Sequence, residues 1–221
     1  MFKPMFALLG AIALGVSFHA FGLDQVELPE QAPALSAGLL GSKEAELYKS
    51  EFFSFFHIRA NGPVAQQGRY TIKSYGTSGD FKAFLQFKVT YDPQGKAVRI
   101  QALVAREFID DVELDPFARD IMRSFVHDAT PKNDQAAVSG LLDEISFFNV
   151  AHGRTIIMGG DEAKGKEKLL DGETEPSAGY KVVQGKAPDF MQKNKECVLT
   201  IGGAEIDGKR WVEFTVTASV Q

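Results

Sequence analysis

Apolar and polar residues alternate between residues 80 and 108, and a period of two predicts β-strands with one buried face. Between the two alternating runs, Pro93 presets a turn backbone and Gly95 accepts a positive φ. The sequence therefore predicts a long antiparallel hairpin, with residues 69–76 as a neighbouring strand. The alternating positions are Phe81, Ala83, Leu85, Phe87, Val89 and Tyr91, then Val98, Ile100, Ala102 and Val104.

A second hairpin is predicted at the C-terminus, where Asp207-Gly208 separates two apolar runs. This dipeptide is a strong signal for a two-residue hairpin turn. In the last strand one face is expected to carry Val212, Phe214, Val216, Ala218 and Val220, and the outward face Trp211, Glu213 and Thr215. Residues 154–158 also have the composition of a strand.

Residues 42–60 predict one helix that begins at the N-cap Ser42 and stops before Asn61 and Gly62. At helical spacing the apolar arc contains Ala45, Tyr48, Phe52, Phe53, Phe55, Phe56 and Ala60, whereas Leu47 and Ile58 fall outside it. His57 also lies off the arc. We interpret it as a cation at the helix end and not as a catalytic group.

Two further helices are predicted in the middle of the chain. One begins at Asp115-Pro116 and buries Phe117, Ile121 and Phe125; the other begins at Asn133 or Asp134 and buries Val138, Leu141, Leu142 and Ile145. The expected fold class is α+β, a mainly antiparallel sheet of about six or seven strands with three helices packed against it.

The N-terminus has the layout of a secretory signal peptide. Lys3 precedes an uncharged run from Met5 to Phe18, and Ala20 and Gly22 are the small residues expected before a cleavage site. We therefore expect a signal peptide at residues 1–22, a flexible arm at 23–41, a single domain at 42–221, and a periplasmic or secreted location.

Charge and hydropathy limit the partners of the mature chain. The whole chain has a net charge of −5, and removal of Lys3 makes it −6. An acidic surface repels phosphate backbones, so nucleic acid and anionic membranes are poor partners. After residue 22 no segment approaches the ~18 apolar residues of a membrane span. The single cysteine, Cys197, excludes an intramolecular disulfide and is interpreted as a buried thiol.

The sequence contains no motif that specifies a reaction. It has no HExxH, CxxC, GxSxG, phosphate-binding or dinucleotide-binding motif, and no cofactor is expected. The acidic run 110–115 lacks the glycine and spacing of a calcium loop, so no metal site is expected. One enzymatic alternative remains: a hydrolase-like enzyme with a dispersed site around His152, Asp110 and Asp111, because functional residues concentrate in loops.

An apolar surplus is the stronger functional lead. The mature chain has 14 of the 18 phenylalanines, and Phe84 lies on an otherwise polar strand face. The simplest explanation is a sheet buried on both faces, but an apolar groove or cavity is the functional alternative. We favour a non-enzymatic envelope protein that binds an apolar small molecule or a protein partner; a structural part of an envelope assembly is a third possibility. The candidate ligand-binding residues are Phe52, Phe55, Phe56, Phe84 and Trp211.

Overall fold

The computed structural model describes residues 26–111, 115–151 and 178–220, and these form an antiparallel sheet flanked by helices. The described strands are β1 (Arg59–Ala60), β2 (Ala65–Gln67), β3 (Tyr70–Gly76), β4 (Leu85–Tyr91), β5 (Ala97–Ala105), β6 (Asp189–Lys193), β7 (Cys197–Ile206) and β8 (Lys209–Ala218). The described helices are α1 (Glu44–Leu47), α2 (Glu51–Phe55), α3 (Arg106–Asp110), α4 (Asp115–Ala129), α5 (Lys132–Ala151) and α6 (Ala178–Val183). None of these helices is both long and apolar enough to cross a membrane.

The sheet confirms the expected α+β class. Its strand order is β1-β3-β4-β5-β8-β7-β6, and β2 also pairs with β3. All described pairings are antiparallel. The eight described strands exceed the expected six or seven because β1 and β2 are short segments that pair with different parts of β3.

The predicted central hairpin is present as β4 and β5, but its first strand is shorter than expected. Residues Gly79–Ala83 form a 3₁₀ helix, and the strand begins at Leu85. The turn forms as predicted, with a φ of 76° at Gly95. Asp92 stabilises it, because one carboxylate oxygen accepts hydrogen bonds from the N–H groups of Gln94 and Lys96, both at 2.9 Å.

The C-terminal hairpin is also confirmed. Asp207 and Gly208 have φ angles of 52° and 75°, as a two-residue type I′ turn requires. Strand β8 buries Val212, Phe214, Val216 and Ala218 on one face, as predicted. The strand ends at Ala218, so Val220 lies outside it and is exposed.

The opposite face of β8 is not exposed. Trp211, Glu213, Thr215 and Thr217 are all buried, which agrees with the simplest explanation of the apolar surplus, a sheet buried on both faces. The Glu213 carboxylate accepts hydrogen bonds from Thr215 at 2.8 Å and from the Gln101 amide. These donors offset part of the cost of removing a carboxylate from water.

The single helix expected over residues 42–60 is wrong. The first helix, α1, ends at Leu47. Ser50 then caps a new helix, α2, by accepting a hydrogen bond from the Phe53 N–H. Because the helical phase restarts there, Leu47 and Ile58 are buried although they lay outside the predicted arc. Phe55, which the arc included, is 74% exposed.

His57 ends α2 in a left-handed conformation, with a φ of 50°. The Ile58 N–H donates to the Phe53 carbonyl at 2.9 Å, and the His57 N–H donates to the Ser54 carbonyl at 3.2 Å. This pair of bonds is the Schellman arrangement, in which the left-handed position is normally glycine. The exposed His57 is therefore part of the helix terminus, and the chain continues into β1 instead of reaching the predicted stop at Asn61 and Gly62.

The two longer helices form where the sequence predicts them. Helix α4 buries Ala118, Ile121, Met122 and Phe125, whereas Phe117 is exposed and was wrongly assigned to the buried face. Helix α5 begins at Lys132, close to the predicted start, and buries Val138 and Leu142. The strand expected at 154–158 and the signal peptide at 1–22 lie outside the described residues.

Residues 26–41 lack helix and strand but contact the domain. Leu39 and Leu40 are buried in the core. Hydrogen bonds also join this segment to the sheet and to α4, and the flexibility expected for residues 23–41 stays a prediction. The anchoring bonds are Arg99 Nη2 to the Val26 carbonyl (2.6 Å), the Ala32 N–H to Asp92 (2.8 Å) and the Leu39 N–H to the Asp128 carbonyl (2.9 Å).

The conformation of His57 gives a prediction about stability. His57→Gly should maintain or raise the free energy of unfolding, by up to about 1 kcal/mol, because glycine accepts a positive φ without a steric penalty. His57→Val should lower it by about 1–2 kcal/mol, because a β-branched residue resists that region. Urea unfolding of both variants is the measurement. Equal effects of glycine and valine would contradict the helix end described here.

Candidate functional site

An open groove of about 540 Å³ lies between α2, α4 and α5. Helices α4 and α5 pack on each other, and α2 packs against α4. The groove combines an apolar floor with a charged and hydroxylated rim. Its lining residues are Glu51, Phe52, Phe55, Phe56, Arg123, Ser124, His127, Asp128, Ser139 and Leu142.

The three phenylalanines of the floor are those that the sequence singled out in α2. Phe52 is buried, and its ring lies 4.9 Å from that of Phe56, measured between centroids. The centroid of the Phe55 ring also lies 4.9 Å from that of Phe56. The rings thus form a continuous apolar surface that begins in the core at Phe52 and ends in solvent at Phe55.

The capping of α2 explains this gradient of exposure. With Ser50 as N-cap, Phe52 and Phe53 occupy the second and third helical positions and point into the core. Phe55 follows two residues after Phe53, about 200° around the helix, and so faces away from the core. The same sequence therefore supplies both core anchors and an exposed apolar surface.

The rim carries charges of both signs but lacks the contacts of a catalytic triad. His127 Nδ1 lies 3.1 Å from an Asp128 carboxylate oxygen, and the His127 side chain is half exposed. Among the hydrogen bonds of the described residues, none joins His127 to the hydroxyl of Ser124 or Ser139. The Ser139 hydroxyl instead donates to the Ala136 carbonyl at 3.0 Å. An activated serine nucleophile requires a hydrogen-bonded base, and the contacts of the described residues do not supply one to Ser124 or Ser139.

The other predicted ligand-binding residues lie elsewhere. Phe84 and Trp211 both contact Lys209, whose Nζ is 5.6 Å from the first ring centroid and 5.1 Å from the second. Phe84 also stacks on Phe108 at 5.0 Å. The predicted ligand-binding residues therefore lie in two places. Phe52, Phe55 and Phe56 line the groove. Phe84 and Trp211 lie around Lys209.

The residues of the enzymatic alternative do not form a described site. Asp110 pairs with Arg106 at 3.0 Å at the end of α3, and Asp111 follows it in the chain. His152 lies outside the described residues, so its proximity to these aspartates stays a prediction. In the parts of the chain that the structure describes, no group of three or more His, Cys, Asp or Glu residues is placed to hold a metal ion.

Cys197 is a poor nucleophile in this fold. Its thiol is buried at the start of β7, and burial, assisted by the nearby carboxylate of Asp134, raises its pKa to about 12. A thiol with this pKa is almost wholly protonated at neutral pH, whereas the thiolate is the reactive form. Cys197 therefore contributes to packing.

A cluster of titratable groups at Glu44 was not anticipated from the sequence. Its carboxylate accepts hydrogen bonds from Tyr75 at 2.9 Å and Tyr48 at 3.2 Å, and it pairs with Lys73. The hydroxyls of Tyr75 and Tyr91 lie 2.7 Å apart in the core. Burial raises the pKa of both buried tyrosines, so these phenols stay protonated. The cluster fixes α1 to the sheet.

No protein-family model, curated protein or solved structure matches the chain.

The Glu44 cluster predicts an acid-sensitive contribution to stability. Burial alone would raise the pKa of Glu44, but hydrogen bonds from Lys73 and Tyr75 hold it below the usual 4.5. A lowered folded-state pKa means that the stabilisation is fully present above pH 4.5 and is lost as pH falls through the folded-state pKa. Glu44→Gln should therefore cost roughly 1–3 kcal/mol at neutral pH and less in acid.

Chemical denaturation of wild type and variant from neutral to acidic pH measures this difference. Glu205→Gln, at an exposed position of β7, is the control and should change stability little at any pH. A difference between wild type and Glu44→Gln that does not shrink with falling pH would contradict the proposed charge interaction.

Proposed function

We propose that the protein is an exported, non-enzymatic binding protein whose α2–α4–α5 groove takes an apolar small molecule. The observation that carries the proposal is the exposure of Phe55 beside Phe56 and the buried Phe52. A large apolar side chain left in solvent within a concave surface is typical of a ligand site. The groove volume of about 540 Å³ is within the usual range for small-molecule pockets.

The rim supports a ligand that is apolar over most of its surface and polar at one end. His127 and Arg123 offer hydrogen-bond donors, and Glu51 and Asp128 offer acceptors. A few polar groups around an apolar floor orient a ligand without reacting with it. The concave shape favours a small molecule over a flat protein interface.

Titration with N-phenylnaphthylamine, a neutral apolar fluorophore, tests the proposal. The wild-type protein should raise its fluorescence on binding. Phe55→Ala should weaken binding by roughly five-fold, equivalent to about 1 kcal/mol of lost apolar contact. The same variant should keep the free energy of unfolding within about 0.5 kcal/mol, because the Phe55 ring is mostly in solvent.

Phe117→Ala is the matched control. Phe117 is also an exposed phenylalanine, but it lies on α4 about two turns before Ser124 and does not line the groove. It should leave fluorophore binding unchanged. No fluorescence change with wild type would overturn the proposal, and equal weakening by the two variants would show that the groove is not the binding site.

The export part of the proposal has separate support in the N-terminal sequence and a separate test. Intact-mass analysis of protein from the native host should show a chain that lacks residues 1–22. Ala20→Arg should retain the full mass, because signal cleavage requires small residues at this position. A wild-type protein that retains Met1 in a soluble cytosolic fraction would contradict export.

A further inference from the structure

Strand β7 extends past the end of its neighbour β6. Pairing between β6 and β7 stops at Asp189 and Gly202, whereas pairing between β7 and β8 continues to Ile206 and Lys209. On the side away from β8, no strand in the described ranges pairs with residues 203–206. Four residues provide about 13 Å of strand, and alternate residues turn their N–H and C=O groups toward this open side.

The chain before β6 cannot close this edge by extending the ladder. Pro188 immediately precedes Asp189 and has no backbone N–H to donate. The chain instead diverges, and a groove of about 930 Å³ separates residues 184–189 from the tip of the β7–β8 hairpin. An unpaired edge that faces a groove can accept an added strand.

Gly203 lines this groove and has no side chain to fill it. It is exposed, and a Cβ built on it would meet no atom within 4 Å. Its φ lies outside the left-handed region, so the backbone does not require glycine there. Glycine inside a strand often marks a place where another backbone approaches closely.

The charged residues of the groove favour a cationic occupant. Four carboxylates line it, against the two guanidinium groups of Arg106 and Arg210. Arg106 pairs with Asp110 and donates to the Val183 carbonyl, so these two charges compensate each other and three carboxylates remain against Arg210. The four carboxylates belong to Asp110, Asp189, Glu205 and Asp207.

We propose that this groove binds an extended peptide segment with basic side chains, which adds as a further strand to the part of the β7 edge that no described strand covers. The backbone of the segment would bond to alternate residues of 203–206, and its cationic side chains would meet Asp189, Glu205 and Asp207. This site shares no residue with the apolar groove, so the two proposals succeed or fail independently.

The test uses a blocked pentapeptide of alternating lysine and valine, titrated into isotope-labelled protein while amide chemical shifts are followed. Shifts should concentrate at residues 203–206 and Asp189. The same peptide with N-methylated alternate amides should bind at least roughly ten-fold more weakly, because it cannot form the ladder. A glutamate–valine analogue should also bind more weakly, because it carries the wrong charge.

Gly203→Pro is the matching protein variant. Ile206 and Lys209 form the hydrogen-bonded pair next to the hairpin turn, so the Gly203 N–H points to the open side of β7 and not to β8. Proline removes this donor while leaving the bonds to β8 in place, so it should weaken binding at least about ten-fold. Gly140→Ala, at an open position on α5, is the control and should bind as wild type does. Absence of binding, equal binding of the N-methylated peptide, stronger binding of the glutamate analogue, or full binding by a folded Gly203→Pro would each overturn the proposal. The peptide comparisons decide the matter even if the protein variant does not fold.

Discussion

Phe52 connects the three parts of the structure on which the apolar groove depends. Its ring centroid lies 5.7 Å from that of Phe87 in the sheet, 5.7 Å from that of Phe125 in α4, and 4.9 Å from that of Phe56 in its own segment. Burial of this one side chain fixes the short helix α2 against both the sheet and α4. A five-residue helix is not stable alone, so its position depends on such tertiary contacts. The groove exists because Phe52 holds α2 in place and thereby presents Phe55 to solvent.

The strands were predictable because the alternation of apolar and polar residues is a local pattern with a fixed period of two. A strand places successive side chains on opposite faces, so the alternation around Phe87 and around Phe214 identifies the buried face directly. The turns at Gly95 and Gly208 were predictable for the same reason, since few residues tolerate their backbone angles. The alternation in β8 separates its two faces, but it does not show what covers the face of Trp211 and Glu213, which only the surplus of apolar residues suggested would be buried.

The prediction of one helix over residues 42–60 was wrong for a physical reason. The residues responsible are present in the sequence, but a helical period averaged over the whole segment does not detect them. A helical arc drawn from Ser42 to Ala60 assumes one continuous helix, whereas Ser50 and His57 each change the backbone direction. Beyond such a change, the angular relation between residues on either side is lost. Sequence alone therefore could not distinguish the buried Phe52 from the exposed Phe55.

The two grooves were predictable to different extents. The apolar groove takes its floor from one segment that the phenylalanine content made conspicuous, but His127 and Leu142 come from separate helices that only tertiary packing brings near. The groove beside β7 depends on where β6 ends, and the sequence marks this only through Pro188 and Gly203. Neither residue has chemistry that would attract notice without knowledge of the neighbouring strand.

The different burial of the phenylalanines in α2 shows how the proposed binding site could coexist with a stable fold. Phe52 and Phe53 supply the packing free energy, because both are almost fully buried. Phe55 contributes little of that energy because most of its ring is in solvent. Under the proposed function, substitutions at Phe55 should alter binding without unfolding the domain, whereas substitutions at Phe52 should alter both at once. A binding surface built on exposed neighbours of core residues gains rigidity from the core and keeps its own residues free to change.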